Sequence, residues 1–128
     1  MSFARGLSTF AHKTGIRTDQ VVRKVCIDLT REITMSTPVD TGLARNNYFF
    51  GFDRNGSTTD VTSKNGAGSI TRSMEFAANL KAGGVFYIAN NLPYIMRLEY
   101  GSSTQAPAGM ARIAVAKFQA IVDKAARL

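Results

Sequence analysis

The chain is short of the residues from which most catalytic and metal sites are built. It has one cysteine, Cys26, and one histidine, His12, in 128 residues. A single thiol excludes an intrachain disulfide and a cysteine-based metal site. A Ser-His-Asp or Cys-His hydrolytic site would have to use His12, which lies in a Phe- and Leu-containing N-terminal stretch with no partner signature beside it. Acids are also sparse, nine against 16 basic residues, and Glu99 is the only one between residues 76 and 122. No acidic cluster suggests a bound cation. There is no tryptophan, and no apolar run approaches the ~20 residues of a membrane helix. The N-terminal "MSFARGLSTFAHKTG" is interrupted by Arg, Gly, Ser and His, so no signal-peptide core is expected. The expected location is the cytosol, or an assembly built there.

What remains is 45% hydrophobic and 20% charged, the balance of a globular chain, and its length suits a single domain over 1–128. The net charge of +7 is spread over both ends (Arg5, Lys13 and Arg17; Arg112, Lys117, Lys124 and Arg127) and not packed into a block. A solvated or partner-facing basic surface is therefore preferred to specific nucleic-acid recognition.

Hydrophobic periodicity orders the chain. Phe3, Leu7, Phe10 and Ala11 share one face of a short N-terminal helical arm within 1–17, which Gly15 would end. Val22, Val25, Cys26, Leu29 and Ile33 line one side of a longer helix, with Thr18 or Asp19 as its cap and Pro38 as its stop. Cys26 is then a core residue. The aromatic density of "ARNNYFFGFD", 44–53, predicts a strand with both faces covered, one of them by a neighbouring subunit. Residues 53–69 read as a long flexible loop or a loose hairpin around Val61. The "NGAGSIT" within and beyond it lacks the spacing of a phosphate-binding loop. Ser69 would cap a helix over 70–81 with Ile70, Met74, Ala77 and Ala78 inward and Gly83-Gly84 at its end. Then come a strand over 85–90 and a short helix over 92–100, capped by Asn91 and ended at Gly101. Pro107 opens a last helix with the stripe Met110, Ala114, Phe118, Ile121, Val122, Ala125 and Leu128. The expected fold is α+β, a small antiparallel or mixed sheet packed by a long N-terminal helix, one or two short helices and a C-terminal helix.

One triplet invites a catalytic reading. Asp40-Thr41-Gly42 is the sequence that carries the reactive carboxylate of aspartic proteases. Those enzymes are nearly all β, place the triplet at the end of an apolar strand and pair two carboxylates over one proton. Here a helix closed by Pro38 precedes Asp40, and Leu43 follows Gly42. A rigid corner is the better reading: Asp40 and Thr41 would bond nearby amides, Gly42 would supply a positive φ, and Val39 would anchor the turn in the core. On that reading Asp40→Ala is expected to cost about 1–2 kcal/mol. Glu99, beside Arg97 and Tyr100, is expected to pair with an arginine of its own or a neighbouring chain.

Three stretches, "TPVDTGLAR", "ANNLPYIMRLEYG" and "QAPAGMAR", taken in order, resemble the HK97 gp10-like family of tailed-phage neck and tail-completion proteins. Residues 38–45, 90–101 and 105–112 carry the match. The resemblance implies a non-enzymatic virion protein without cofactor or metal. It implies an oligomeric ring, a hexamer, at the head–tail junction, assembled in the host cytoplasm. Its partners would be copies of itself, the connector or stopper, and the tail-tube or terminator proteins, with genomic DNA passing non-specifically through the lumen. A tail terminator capping the tube is the alternative, and a basic nucleic-acid-binding protein the third reading. Pro38, Val39, Asp40, Thr41 and Gly42 are the structural turn. Arg45, Tyr48, Phe49, Phe50, Phe52, Arg97, Glu99, Tyr100 and Arg112 are the candidate interface.

Overall fold

A helix of 19 residues, α1 (Thr18–Ser36), forms the spine against which the rest packs. The computed structural model describes residues 18–53, 55–83, 85–100 and 109–127. The N-terminal arm, Gly15, Gly84, Gly101, Pro107 and Leu128 lie outside the described residues. The stripe Val22, Val25, Cys26, Leu29 and Ile33 is buried as its spacing predicts, joined by Val21. Thr18 and Asp19 fall inside the helix and not at its cap. The Asp19 carboxylate instead accepts the Ala82 N–H at 3.0 Å, tying the start of α1 to a distant loop. Burial pushes the Cys26 thiol up to about 12, so it stays protonated and packs as a small apolar group. The helix ends at Ser36, before Pro38.

The strand expected from residue 44 begins only at Tyr48. Residues Ala44–Asn46 form a 3₁₀ turn, because the Asn46 and Asn47 side-chain amides donate back to the carbonyls of Gly42 and Leu43, four residues earlier. Strand β1 (Tyr48–Gly51) then pairs antiparallel with β2 (Tyr87–Asn90), Tyr48 opposite Asn90 and Gly51 opposite Tyr87. Tyr48 and Phe50 face the core, and Phe50, Phe76 and Phe86 stack through Phe76 with ring centroids 5.8 and 5.9 Å apart. No hairpin forms around Val61, which is exposed; the segment is an irregular loop as far as helix α2 (Ala67–Ala77).

Helix α2 starts earlier than expected, and of the expected inward residues only Ala77 is fully buried. Ser69 lies within it, Gly66 caps it, and it ends well before Gly83. Its buried residues are Ser69, Ser73 and Ala77, while Met74 is half exposed and Ala78 exposed. Apolar periodicity misses the two serines because they satisfy their hydroxyls locally. Ser69 Oγ donates to Arg45 O at 2.6 Å and accepts the Tyr48 N–H at 3.0 Å, and Ser73 Oγ donates to Ile70 O. Small side chains let α2 lie close to β1.

Helix α3 (Ile95–Glu99) is shorter than expected and starts from Tyr94. Asn91, the expected cap, donates instead to the carbonyls of Asn55 and Ser57. The last helix is two, α4 (Ala111–Ala116) and α5 (Phe118–Ala125), broken at Lys117. Met110, Ala114, Val122 and Ala125 are nevertheless buried and Phe118 and Ile121 pack against them, so the stripe holds across the break. The architecture is α+β, with five helices and a two-stranded antiparallel sheet among the described residues. No described helix is long and apolar enough to cross a membrane.

Gly66 joins the loop to α2 at φ +67°, where a Cβ would overlap Thr34 Cγ2 and crowd Arg45 Cβ at 3.2 Å. Gly83 has φ +99° but open space around it. Gly66→Ala should therefore cost about 3 kcal/mol, the sum of left-handed strain and overpacking, and Gly83→Ala only about 1–2. Urea unfolding of the two variants measures the difference.

Candidate functional site

The turn Pro38–Gly42 leaves the end of α1 and forms one wall of a cleft of about 480 Å³. Tyr94 and, from α3, Arg97 and Leu98 form the other. Gly42 is required twice: its φ is +91°, and a Cβ would sit 2.5 Å from Thr62 O. Thr41 Oγ1 accepts the Leu43 N–H at 3.2 Å, as an ST-turn does. Asp40 does not behave as expected. Its side chain is exposed and has no hydrogen-bond partner among the described residues. Val39 is half-buried and not part of the core cluster. Among the described residues Asp40 is the only acid lining the cleft, so this corner supplies one carboxylate where the protease chemistry needs a pair.

The corner is held by residues that periodicity does not mark. Asn46 is fully buried. Its Nδ2 donates to Gly42 O at 2.9 Å and Ser63 O at 2.6 Å, and its Oδ1 accepts from Ser63 Oγ and from Gly68 N–H at the start of α2. Asn47 does the same one residue on, donating to Leu43 O and Thr59 O and accepting Thr59 N–H. These two side chains pin the loop that the sequence presents as flexible. The available signal was the Asn-Asn pair directly after a Gly-containing turn, since asparagine offers both donor and acceptor to backbone.

Two arginines complete the arrangement. Arg45 turns inward: Nε donates to Thr37 O, Nη2 to Met35 O and Nη1 to Lys64 O, at 2.9 to 3.0 Å. It thereby caps the unpaired carbonyls at the C-terminus of α1, where a cation also meets the favourable end of the helix dipole. Arg72 donates to Tyr48 O and Asn46 O and lies 4.0 Å over the Phe49 ring. Tyr48 OH hydrogen-bonds Thr37 Oγ1 at 2.8 Å, and burial pushes its hydroxyl up to about 12.

A second joint links α3 to α4. Glu99, at the end of α3, accepts the N–H groups of Met110, Ala111 and Arg112, and the Arg112 guanidinium at 3.1 Å. Arg112 also donates to Glu99 O and lies 5.2 Å over the Tyr100 ring. The expected arginine partner of Glu99 is thus Arg112 of the same chain. Gly109 makes room: at φ +86°, a Cβ there would overlap the Glu99 carboxylate. Burial raises the carboxyl pKa, but the amides of Ala111, Arg112 and Met110 and the Arg112 side chain outweigh it and hold the group below its ordinary value.

Of the candidate interface, Arg45, Tyr48, Phe50 and Glu99 are used within the fold, and Phe49 is half covered by Arg72. Phe52 (65% exposed), Tyr100 (70%), Arg97 and Arg112 remain on the surface. Among the described residues no group of three His, Cys, Asp or Glu could hold a metal ion. No family model, no curated protein and no solved structure gives a significant match to the chain.

Two tests follow from these contacts. Asp40→Ala should leave unfolding free energy within about 0.5 kcal/mol of wild type, as for an unconstrained surface site. Asn46→Ala strands the buried Gly68 N–H and the Gly42 carbonyl and should cost about 2–4 kcal/mol. Chemical denaturation separates the two; equal effects would refute the assignment. For Glu99 the bound form is the carboxylate. Its contribution is therefore complete above the ordinary value of 4.5 and is lost as pH falls below it through the depressed folded value. Melting temperature should drop on this acid limb in wild type, and Glu99→Gln should flatten the drop while melting lower near pH 7.

Proposed function

We propose that the chain is a non-enzymatic structural protein of a tailed-phage virion, acting as a ring-forming neck or tail-completion protein at the head–tail junction. The reading rests on the ordered resemblance of residues 38–45, 90–101 and 105–112 to that family. One structural observation supports treating those stretches as a set. Glu99 of the second is bonded to the Met110 and Arg112 amides and the Arg112 guanidinium of the third. The first forms the facing wall of the cleft beside α3. Three motifs scattered over 75 positions of sequence thus meet around one short helix.

Ring subunits contact one another through two different, complementary surfaces. The exposed members of the candidate set, Phe52, Arg97, Tyr100 and Arg112, fit that need because aromatic and arginine side chains are the commonest interface anchors. The net charge of +7 suits a lumen crossed by DNA or contact with acidic neighbours.

Mass spectrometry of purified virions from the encoding phage should detect the chain, and cryo-EM should place a closed ring of it at the junction. Its absence from virions overturns the proposal. Steep salt-dependent binding of the purified chain to duplex DNA would favour the nucleic-acid-binding reading instead.

A further inference from the structure

The two edges of the small sheet are treated differently. Along the outer edge of β1 three backbone groups are bonded by side chains. Ser69 Oγ accepts the Tyr48 N–H, Arg72 Nε donates to Tyr48 O, and Asn55 Nδ2 donates to Phe50 O. These bonds also fix the ladder's phase. Tyr48 and Phe50 point their main-chain groups away from β2, so their cross-strand partners Asn90 and Ile88 point theirs away from β1. Among the described residues, nothing bonds the N–H or C=O groups of Ile88 and Asn90 along that edge.

Edge strands are blunted by shortness, charge, proline, a bulge or a covering segment. Strand β2 has the first of these, at four residues. Residues 85–91, Val-Phe-Tyr-Ile-Ala-Asn-Asn, contain no charge and no proline, and the register with β1 runs without a bulge. Val85 and Tyr87 are about half exposed, at 50% and 48%.

We infer that the β2 edge is a pairing surface for β2 of a second copy of this chain. The occupant follows from self-complementarity. In an antiparallel pair centred on Ala89, Ile88 of one copy faces Asn90 of the other, and the reverse. All four free N–H groups then meet the four free C=O groups, and Ala89 faces Ala89 across the twofold axis. Small Ala89 side chains permit close approach there, and Tyr87 lies diagonal to the opposing Ala89, within reach of an aromatic ring. No like charges oppose one another. The product is a continuous four-stranded sheet, β1–β2–β2–β1. An isologous contact closes on itself, so this pairing yields a dimer whether or not a ring forms through other surfaces.

Light scattering over a concentration series should show the mass rising reversibly from one chain, 13.9 kDa, towards two. Hydrogen exchange followed by NMR should show the Ile88 and Asn90 amides slowing only as the dimer forms. Ala89→Lys and Ala89→Glu each place like charges face to face and should weaken the dimer on the order of tenfold or more. Mixing the two variants should restore it as a heterodimer. A mass of one chain at every concentration overturns the inference, as does a dimer equally tight in both variants. A ring-sized species in which the two amides still exchange freely also overturns it, while leaving the virion role standing. The wild-type exchange measurement decides the matter even if a variant fails to fold.

Discussion

The side-chain amide of Asn46 is the joint on which this structure depends. It is fully buried and all its hydrogen-bonding positions are used, on the corner, on the loop and on the first turn of α2. Each bond contributes only about 0.5–1.5 kcal/mol net, but leaving such groups buried and unpaired costs more. The constraint matters because the loop has little else to hold it: its one large apolar residue, Val61, is about half exposed. Asn47, Arg45 and Arg72 extend the same principle, so backbone carbonyls of the corner and β1 are met by side-chain donors.

The helix ends repeat the pattern at a distance. The C-terminus of α1 is capped by Arg45 and the N-terminus of α4 by Glu99, neither of them a neighbour at the conventional capping position. Both caps carry the sign of charge the helix dipole favours. They also fix orientation. Arg45 ties the chain after Pro38 back to the end of α1, and Glu99 holds the start of α4 against the end of α3. Some residues expected at a subunit interface are thereby bonded inside the fold, and the exposed remainder is smaller, two aromatics and two arginines. Among the described residues, side-chain bonding to backbone also separates the two edges of the sheet.

The legibility of these features in the sequence divides along physical lines. The α1 stripe and the Met110-to-Ala125 stripe were readable because burial on one side of a helix forces a 3.6-residue repeat. The D-T-G turn was readable because Gly42 has to supply a conformation other residues resist. The full inward face of α2 was not, since buried serines look polar until their hydroxyls find partners. Asp40 was over-read: its residue type suits a turn bond, yet the geometry gives that bond to Thr41. The start of β1 was misplaced because the propensity of "YFF" carries no information about the back-bonding of the asparagines before it.

The amino-acid sequence by itself therefore determined the α+β class, the long helix and the stretches within which the two shorter strands lie, since these depend on composition and local periodicity. Only the tertiary structure decided that Arg45, Tyr48 and Glu99 face inward, that asparagines hold the loop, and that, among the described residues, side chains bond the backbone of the β1 edge and not that of the β2 edge. Those outcomes depend on hydrogen bonds between residues as many as 36 positions apart, and no local pattern in a chain records them.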